Sequence, residues 1–163
     1  MDDAINIEQA VIFAGGRGKR LKPLTDTIPK PMAPVNENPF LDYLVDLLMQ
    51  AGIKKVLFLV GYKSEIIMNR YKDSLGNRVQ FEYSAGQIED NTGRRLLNAY
   101  NLLEDKFILL YGDNYWPIQL DAMVKIYSKT KASILTPVFS NKNGTGEYGW
   151  ENNVEVGNDN YVK

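Results

Sequence analysis

Ala10-Val11-Ile12-Phe13-Ala14, followed at once by Gly15-Gly16, is the stretch whose reading decides the fold. A short, uninterrupted apolar run bounded by a turn signal reads as a strand buried on both faces, the kind found in parallel sheets. Glycines placed directly after such a strand let backbone N–H groups come close to an anion.

Outward from this strand the chain alternates between the two periodicities. Phe40, Leu41, Leu44, Val45, Leu47 and Leu48 repeat at helical spacing, and Ala51-Gly52 supplies a stop. Lys55 to Val60 reads as a second buried strand and Ser64 to Tyr71 as a helix with Ser64 as its N-cap. Val79 to Tyr83 alternates as a strand, and Thr92 to Leu103 is helical. Phe107 to Tyr111 is an apolar strand ending in Gly112-Asp113-Asn114, Leu120 to Ser128 a helix and Ala132 to Phe139 a strand, with Asn152 to Val156 a final strand candidate. Between the first strand and the first helix, Arg17 to Pro39 is polar, basic and proline-containing, which predicts an ordered loop. Strands and helices alternating at this interval predict an α/β fold, a Rossmann-like three-layer domain over residues 1–163 with a mostly parallel sheet. Ligands bind such sheets beyond the carboxyl ends of the strands, where Gly15 and Gly112 both fall.

Composition narrows the chemistry. The 163 residues suit one domain, and 44% hydrophobic with 24% charged residues is ordinary for a globular protein. A formal net charge of −1 argues against a nucleic-acid partner. There is no cysteine and no histidine, so disulfides, thiolate metal sites, imidazole ligands and an imidazole base are all excluded. Catalysis must rest on carboxylates, cations, backbone amides or a hard metal ion. Met1-Asp2-Asp3-Ala4 does not resemble a secretory signal, and runs such as Val56 to Val60 are too short to span a bilayer. A cytoplasmic protein without a membrane partner is the expectation.

The strongest functional signal is Ala14-Gly15-Gly16-Arg17-Gly18-Lys19-Arg20-Leu21-Lys22-Pro23-Leu24-Thr25, continued by Pro29-Lys30-Pro31-Met32-Ala33-Pro34-Val35. Arg17, Lys19, Arg20, Lys22 and Lys30 crowd positive charge beside the glycines, as a phosphate site requires. A solvated basic loop is the competing reading, and its place directly after a buried strand and two glycines favours phosphate. No Gly-Lys-Ser/Thr occurs, so this is not a P-loop; position 21 is Leu, so it is not the dinucleotide fingerprint either. The second signal is Asp113. A carboxylate at a strand end can hold Mg²⁺ and so bridge it to phosphates, although Gly-Asp also occurs in plain turns.

Together these motifs resemble the signature of the sugar-1-phosphate nucleotidyltransferases, written Gly-Gly-x-Gly-Thr-Arg-Leu-x-Pro-Leu-Thr and Pro-Lys-Pro-Met, over nearly all of Ala10 to Val35. Lys19 stands where that family usually has Thr. The resemblance implies that Arg20 holds the triphosphate and the departing pyrophosphate, that Lys30 neutralises the reacting phosphates and that Asp113 binds Mg²⁺. Ala14, Gly15, Gly16, Arg17, Gly18 and Lys19 are the implied nucleotide-binding residues. Thr92 and Gly93 belong to a stretch whose counterpart lies against the nucleoside, with helix capping as the alternative role of Thr92. Arg94-Arg95 replaces small residues there, and a Thr-Gly-Gly-Arg variant occurs among cytidylyl-transferring members.

Met32 to Val35 with Asn38-Pro39-Phe40-Leu41 is most similar to the manno-heptose-1-phosphate guanylyltransferase branch. GTP is therefore the first expected nucleotide and CTP the second. Tyr115 is a sugar-pocket candidate, with core packing as its competing role, and Asn152 and Asn153 are further sugar-contact candidates. Members of this family run longer, so the chain is expected to lack the C-terminal sugar-binding part, and a homo-oligomer or a missing fused domain stays open. The expected partners are a nucleoside triphosphate and a sugar 1-phosphate. A sugar phosphate oxygen is already anionic, so the absence of histidine suits the chemistry. The rival from another class is a non-catalytic nucleotide-sensing domain of the same fold; RNA binding is disfavoured because no aromatic-interleaved basic face accompanies the loop.

Overall fold

In a computed structural model the chain builds its sheet around Gln9–Ala14 (β1). The structure describes residues 5–72, 79–130, 132–138, 154–158 and 160–162. Residues 1–124 and 125–163 form two compact units.

In the first unit β1 pairs in parallel with Lys55–Val60 (β4) on one side and Phe107–Tyr111 (β6) on the other. Gln80–Ala85 (β5) adds to β4, again parallel, giving the order β5-β4-β1-β6. The intervening Pro34–Val35 (β2) and Asn38–Pro39 (β3) form a small antiparallel hairpin inside the loop expected between residues 17 and 39. Its two turn residues, Asn36 and Glu37, both have positive φ, the geometry that matches the twist of paired strands.

The period of two in the central strands separates two apolar layers. Ala10, Ile12 and Ala14 of β1 and Val56, Phe58 and Val60 of β4 face one core, where Leu41, Leu44, Val45 and Leu48 of Phe40–Gln50 (α1) cover them. Ile67 and Tyr71 of Ser64–Tyr71 (α2) complete that layer. Val11, Leu57 and Leu59 face the opposite side and meet Ala99 and Leu96, the latter from Thr92–Asn98 (α3). Helices on both faces of a parallel sheet make this the three-layer α/β fold expected. Leu120, which opens Leu120–Tyr127 (α4), packs against the first layer.

Local chemistry sets the boundaries. Gly52, at φ 85°, ends α1: its N–H donates to Met49 O and that of Ile53 to Leu48 O, the paired bonds of a Schellman stop. Ser64 is the first residue of α2 and not its cap; Lys63 stands at the cap in a left-handed conformation. The helix beginning at Thr92 ends at Asn98, and a 3-10 turn, Tyr100–Leu102, follows it. The strand expected over Ala132 to Phe139 does not form: residues 132–138 hold no regular element, and Phe139 lies outside the described residues. Of the last strand candidate, Val156 forms an isolated antiparallel bridge with Val162, and residues 152–153 lie outside the described residues.

Candidate nucleotide-binding site

The chain leaves β1 in one direction, through α1 to β4 and through α2 to β5. It then returns across the other face by α3 to β6, on the far side of β1. Adjacent strands whose connections depart in opposite directions leave a crevice beyond their carboxyl ends. Here that crevice lies past Ala14 and Tyr111, so the loops starting at Gly15 and Gly112 share it.

The loop after β1 folds as three short 3-10 turns, Lys19–Leu21, Leu24–Asp26 and Lys30–Met32. Gly18 makes the first one possible. Its φ of 61° is left-handed, and a Cβ there would lie 2.8 Å from the Lys30 Cβ and 3.0 Å from the Thr25 Cγ2. Thr25, 1% exposed, donates its hydroxyl to Gly18 O at 3.1 Å, and the Tyr62 hydroxyl donates to Thr25 O at 2.8 Å. These bonds fold the polar loop back on itself and return Lys30 to the strand end.

Lys30 meets Asp113 there. Its Nζ donates to Asp113 Oδ2 at 2.7 Å, with side chains 33% and 40% exposed. Gly112 places the carboxylate: its N–H donates to Phe13 O at 2.9 Å, and an added Cβ would come within 2.8 Å of that oxygen. Two motifs far apart in sequence thus set a cation and an anion together at the mouth of the crevice. Asp113 is one hard oxygen donor in reach of solvent. Among the described residues no group of three His, Cys, Asp or Glu could hold a metal unaided. This donor set suits Mg²⁺, which takes one or two carboxylates and fills its remaining positions with phosphate oxygens and water.

The other candidates distribute around this pair. Ala14 and Gly15 are buried, whereas Gly16 is exposed, and a Cβ added to it would meet no atom within 4 Å. Arg17 forms an ion pair with Glu89 at 2.9 Å and lies 5.7 Å from the centre of the Tyr62 ring. The Arg17 guanidinium holds the Glu89 carboxyl below the usual carboxylate value, chiefly through their hydrogen bond. Lys19 and Arg20 are exposed and form no hydrogen bond or ion pair among the described residues. Lys22 pairs with Asp26 at 2.8 Å.

On the β5 side, Asn91 and not Thr92 caps α3, its Oδ1 accepting from Arg94 N at 2.8 Å. Thr92 and Gly93 are the exposed first turn of that helix. Tyr115, beyond the end of β6, is 54% exposed, so it is not a core aromatic. Asn152 and Asn153 lie outside the described residues.

Sequence reasoning missed Tyr62 and Glu89, and it gave no structural role to Thr25 or to the buried Arg95. In the sequence Arg95 stands out only as an unusual residue for its position. The signal that could have revealed it is the set of glycines at the strand ends, Gly15, Gly61 and Gly86, whose missing side chains make room for its guanidinium.

Comparison with known proteins shows the family to which this fold belongs. The family described as nucleotidyl transferase matches residues 9–158. The D-glycero-alpha-D-manno-heptose 1-phosphate guanylyltransferase of Campylobacter jejuni is 37% identical over 116 residues, 71% of this chain and 52% of that protein. The UTP–glucose-1-phosphate uridylyltransferase AglF of Haloferax volcanii is 35% identical over 124 residues, 76% of this chain and 51% of that protein. Among solved structures, HddC from Yersinia pseudotuberculosis complexed with GMP-PN superposes with a TM-score of 0.63 at 30% identity, covering 74% of this chain and 54% of that one. The chain spans about half the length of the curated relatives it matches.

Proposed function

This chain belongs to the nucleotidyl transferase family, and on that premise we propose that residues 1–163 are a nucleotide-binding domain for nucleotidyl transfer to a sugar 1-phosphate. The products are a nucleoside diphosphate sugar and pyrophosphate. The observation that carries the reading is the meeting of Lys30 and Asp113 at the β1/β6 crevice, next to a loop in which Gly16 is exposed.

In the proposed reaction an oxygen of the sugar phosphate attacks the α-phosphorus. The bond from that phosphorus to the oxygen bridging to the β-phosphorus breaks, and its electron pair leaves with pyrophosphate. The nucleophile needs no base, so the work of the chain is to position anions and offset their charge. Exposed amides around Gly16 and the cations Lys19 and Arg20 receive the triphosphate, with Arg20 following the charge onto pyrophosphate. Lys30 neutralises the reacting phosphates while its contact with Asp113 keeps the ammonium at the strand end. Mg²⁺ held by Asp113 and phosphate oxygens would supply Lewis-acid charge neutralisation. Thr92 and Gly93, on the exposed first turn of α3, border the nucleoside, and Tyr115 is assigned to the sugar side.

GTP is the favoured nucleotide, supported by the guanylyltransferase relative and by the GMP-PN complex of HddC. Arg94-Arg95 and Tyr111-Gly112-Asp113 are the features that favour CTP, but Arg95 is turned inward onto main-chain carbonyls, where it cannot read a base. Among the described residues no helix is long and apolar enough to cross a membrane, and the triphosphate substrate gives this reading a cytoplasmic setting.

The test is thermal-shift and calorimetric titration with ATP, GTP, CTP, UTP and dTTP, each with and without Mg²⁺, followed by pyrophosphate release with mannose, heptose and glucose 1-phosphates. A Mg²⁺-dependent stabilisation by one nucleotide supports the site, because a ligand that binds only the folded chain raises its stability by mass action. Silence with all five nucleotides overturns the reading.

A further inference from the structure

Arg95 is the only charged residue among the described ones that is buried, at 5% exposure. Its guanidinium forms no hydrogen bond with a carboxylate among them. Nη1 donates to Val60 O at 2.8 Å, and Nη2 is shared between Gln87 O at 2.7 Å and the Gly15 and Ile88 oxygens, each at 3.2 Å. The acceptors lie at the carboxyl ends of three strands: Gly15 after β1, Val60 closing β4, and Gln87 and Ile88 after β5. A buried cation is tolerated only when its donors are satisfied, and a planar fork of donors fixes the acceptors it satisfies.

The glycines leave its space. A Cβ on Gly15 would lie 2.3 Å from the Arg95 Nη1 and one on Gly61 2.6 Å from it, so neither side chain is compatible with the guanidinium where it stands. Gly15 O receives a second donor, the Tyr62 N–H at 3.1 Å, so the carbonyl is held inward from two sides. The Gly15–Gly16 peptide is trans and planar, which turns the Gly16 N–H in the opposite direction to that carbonyl. Gly16 is exposed, and its N–H has no acceptor among the described residues.

We infer that Arg95 is a positioning residue: from inside the fold it orients the Gly15–Gly16 peptide so that the Gly16 N–H points outward to bind a phosphate oxygen. The inference rests on the nucleotide reading above and assigns a cause to the loop geometry that reading uses. Arg95 touches no substrate; it acts through the backbone that does.

The experiment compares the wild-type chain with Arg95→Lys and Arg95→Ala, titrating GTP with Mg²⁺ and inorganic tripolyphosphate, beside thermal unfolding of each protein. A lysine keeps the charge but cannot span four carbonyls. The expected result is folded variants whose GTP and tripolyphosphate affinities fall roughly tenfold to a hundredfold, the usual loss when a supporting residue is removed. Guanidinium ion added at low concentration restores binding to Arg95→Ala, which a merely structural role would not produce. A folded Arg95→Lys variant with wild-type affinities overturns the inference and leaves the nucleotide reading intact. A wild-type chain that binds none of the five nucleotides and no tripolyphosphate overturns both. Where neither variant folds, the wild-type amide spectrum decides: a large shift of the Gly16 N–H on adding tripolyphosphate supports the inference, and an unmoved Gly16 signal overturns it.

Discussion

The Lys30 ammonium and the Asp113 carboxylate, 83 residues apart in the chain, are joined at 2.7 Å in the crevice between β1 and β6. Neither is deeply buried, so the contact contributes little to folding; half-exposed ion pairs are generally weak. Its value is positional. On the proposed reading a phosphate oxygen takes the place of Asp113 on the Lys30 ammonium, and a hard metal ion takes the place of Lys30 on the Asp113 carboxylate. Lys30→Ala and Asp113→Asn are therefore expected to unfold within a few degrees of the wild type, yet to lose about a hundredfold or more in nucleotidyl transfer rate. Asp113→Asn should also lose the Mg²⁺ dependence of nucleotide binding, which Lys30→Ala should keep. Full transfer activity in both variants would remove the assignment.

Gly18 is the residue on which the return of Lys30 depends. A side chain there meets two penalties, the left-handed φ of 61° and the approach of the Lys30 Cβ at 2.8 Å. Gly18→Ala is expected to cost about 1–2 kcal/mol in conformational strain, before any displacement of Lys30 is counted. Denaturant unfolding measures the first effect. The second is read as weaker nucleotide binding, whereas Gly16→Ala, in open space, should fold with wild-type stability.

Arg17 is already engaged within the chain, because Glu89, in the loop after β5, pairs with it at 2.9 Å. Releasing it should favour an anionic ligand. Glu89→Gln is expected to leave thermal stability unchanged and to tighten tripolyphosphate binding severalfold at low ionic strength. The gain should vanish in high salt, where exposed charges are screened. The pair also sets the acid titration of Glu89, whose pKa is lowered from 4.5 chiefly by the hydrogen bond from Arg17. The carboxylate and its hold on Arg17 therefore persist above that value and are lost as pH falls below it. A carboxyl titration followed by NMR, compared between wild type and Arg17→Ala, should show the Glu89 midpoint rise toward 4.5 in the variant.

How far the sequence can be read divides along a physical line. β4 is legible to the residue, and α2 as well, because a buried apolar run and a 3.6-residue period are written locally. The Gly52 stop is legible for the same reason. The capping residues of α2 and α3 each lie one position before the residue the sequence suggests. A serine or threonine near a helix start looks like a cap, but the residue before the helix is Lys63 for α2 and Asn91 for α3. Of the two it is Asn91 that has extended backbone and accepts the capping hydrogen bond. Residues 132–138 carry strand-forming side chains yet form no strand, since a strand needs a partner and local sequence does not say whether one is there. Of the candidate site, the glycine loop and the Gly-Asp motif can each be read alone. That β6 sits beside β1, bringing Asp113 to Lys30, is a matter of strand order and is not written in either motif. Arg95 is hidden most deeply. Its charge suggests a surface residue, and only the glycines on three separate strand ends reveal that a guanidinium passes between them.

Tyr71 gives a prediction independent of the site. Its ring stacks on Phe58 with centroids 5.1 Å apart, and its hydroxyl donates to Asp42 Oδ1 at 2.7 Å while Arg70 holds the other carboxylate oxygen. Burial first, and then the bond to Asp42, push the phenol well above its ordinary value of 10.0. The folded chain therefore keeps a proton that the unfolded chain releases in alkali. Stability from this group is complete below pH 10.0 and is lost as pH rises beyond it, because the unfolded state is then the one that binds fewer protons. Tyr71→Phe is expected to cost about 1 kcal/mol at neutral pH for the lost hydrogen bond. Above the ordinary phenol value the variant should lose stability less steeply than the wild type, so the two urea midpoints converge as pH rises. Parallel curves across that range would show that the Tyr71 phenol titrates in the folded chain as it does in the unfolded one.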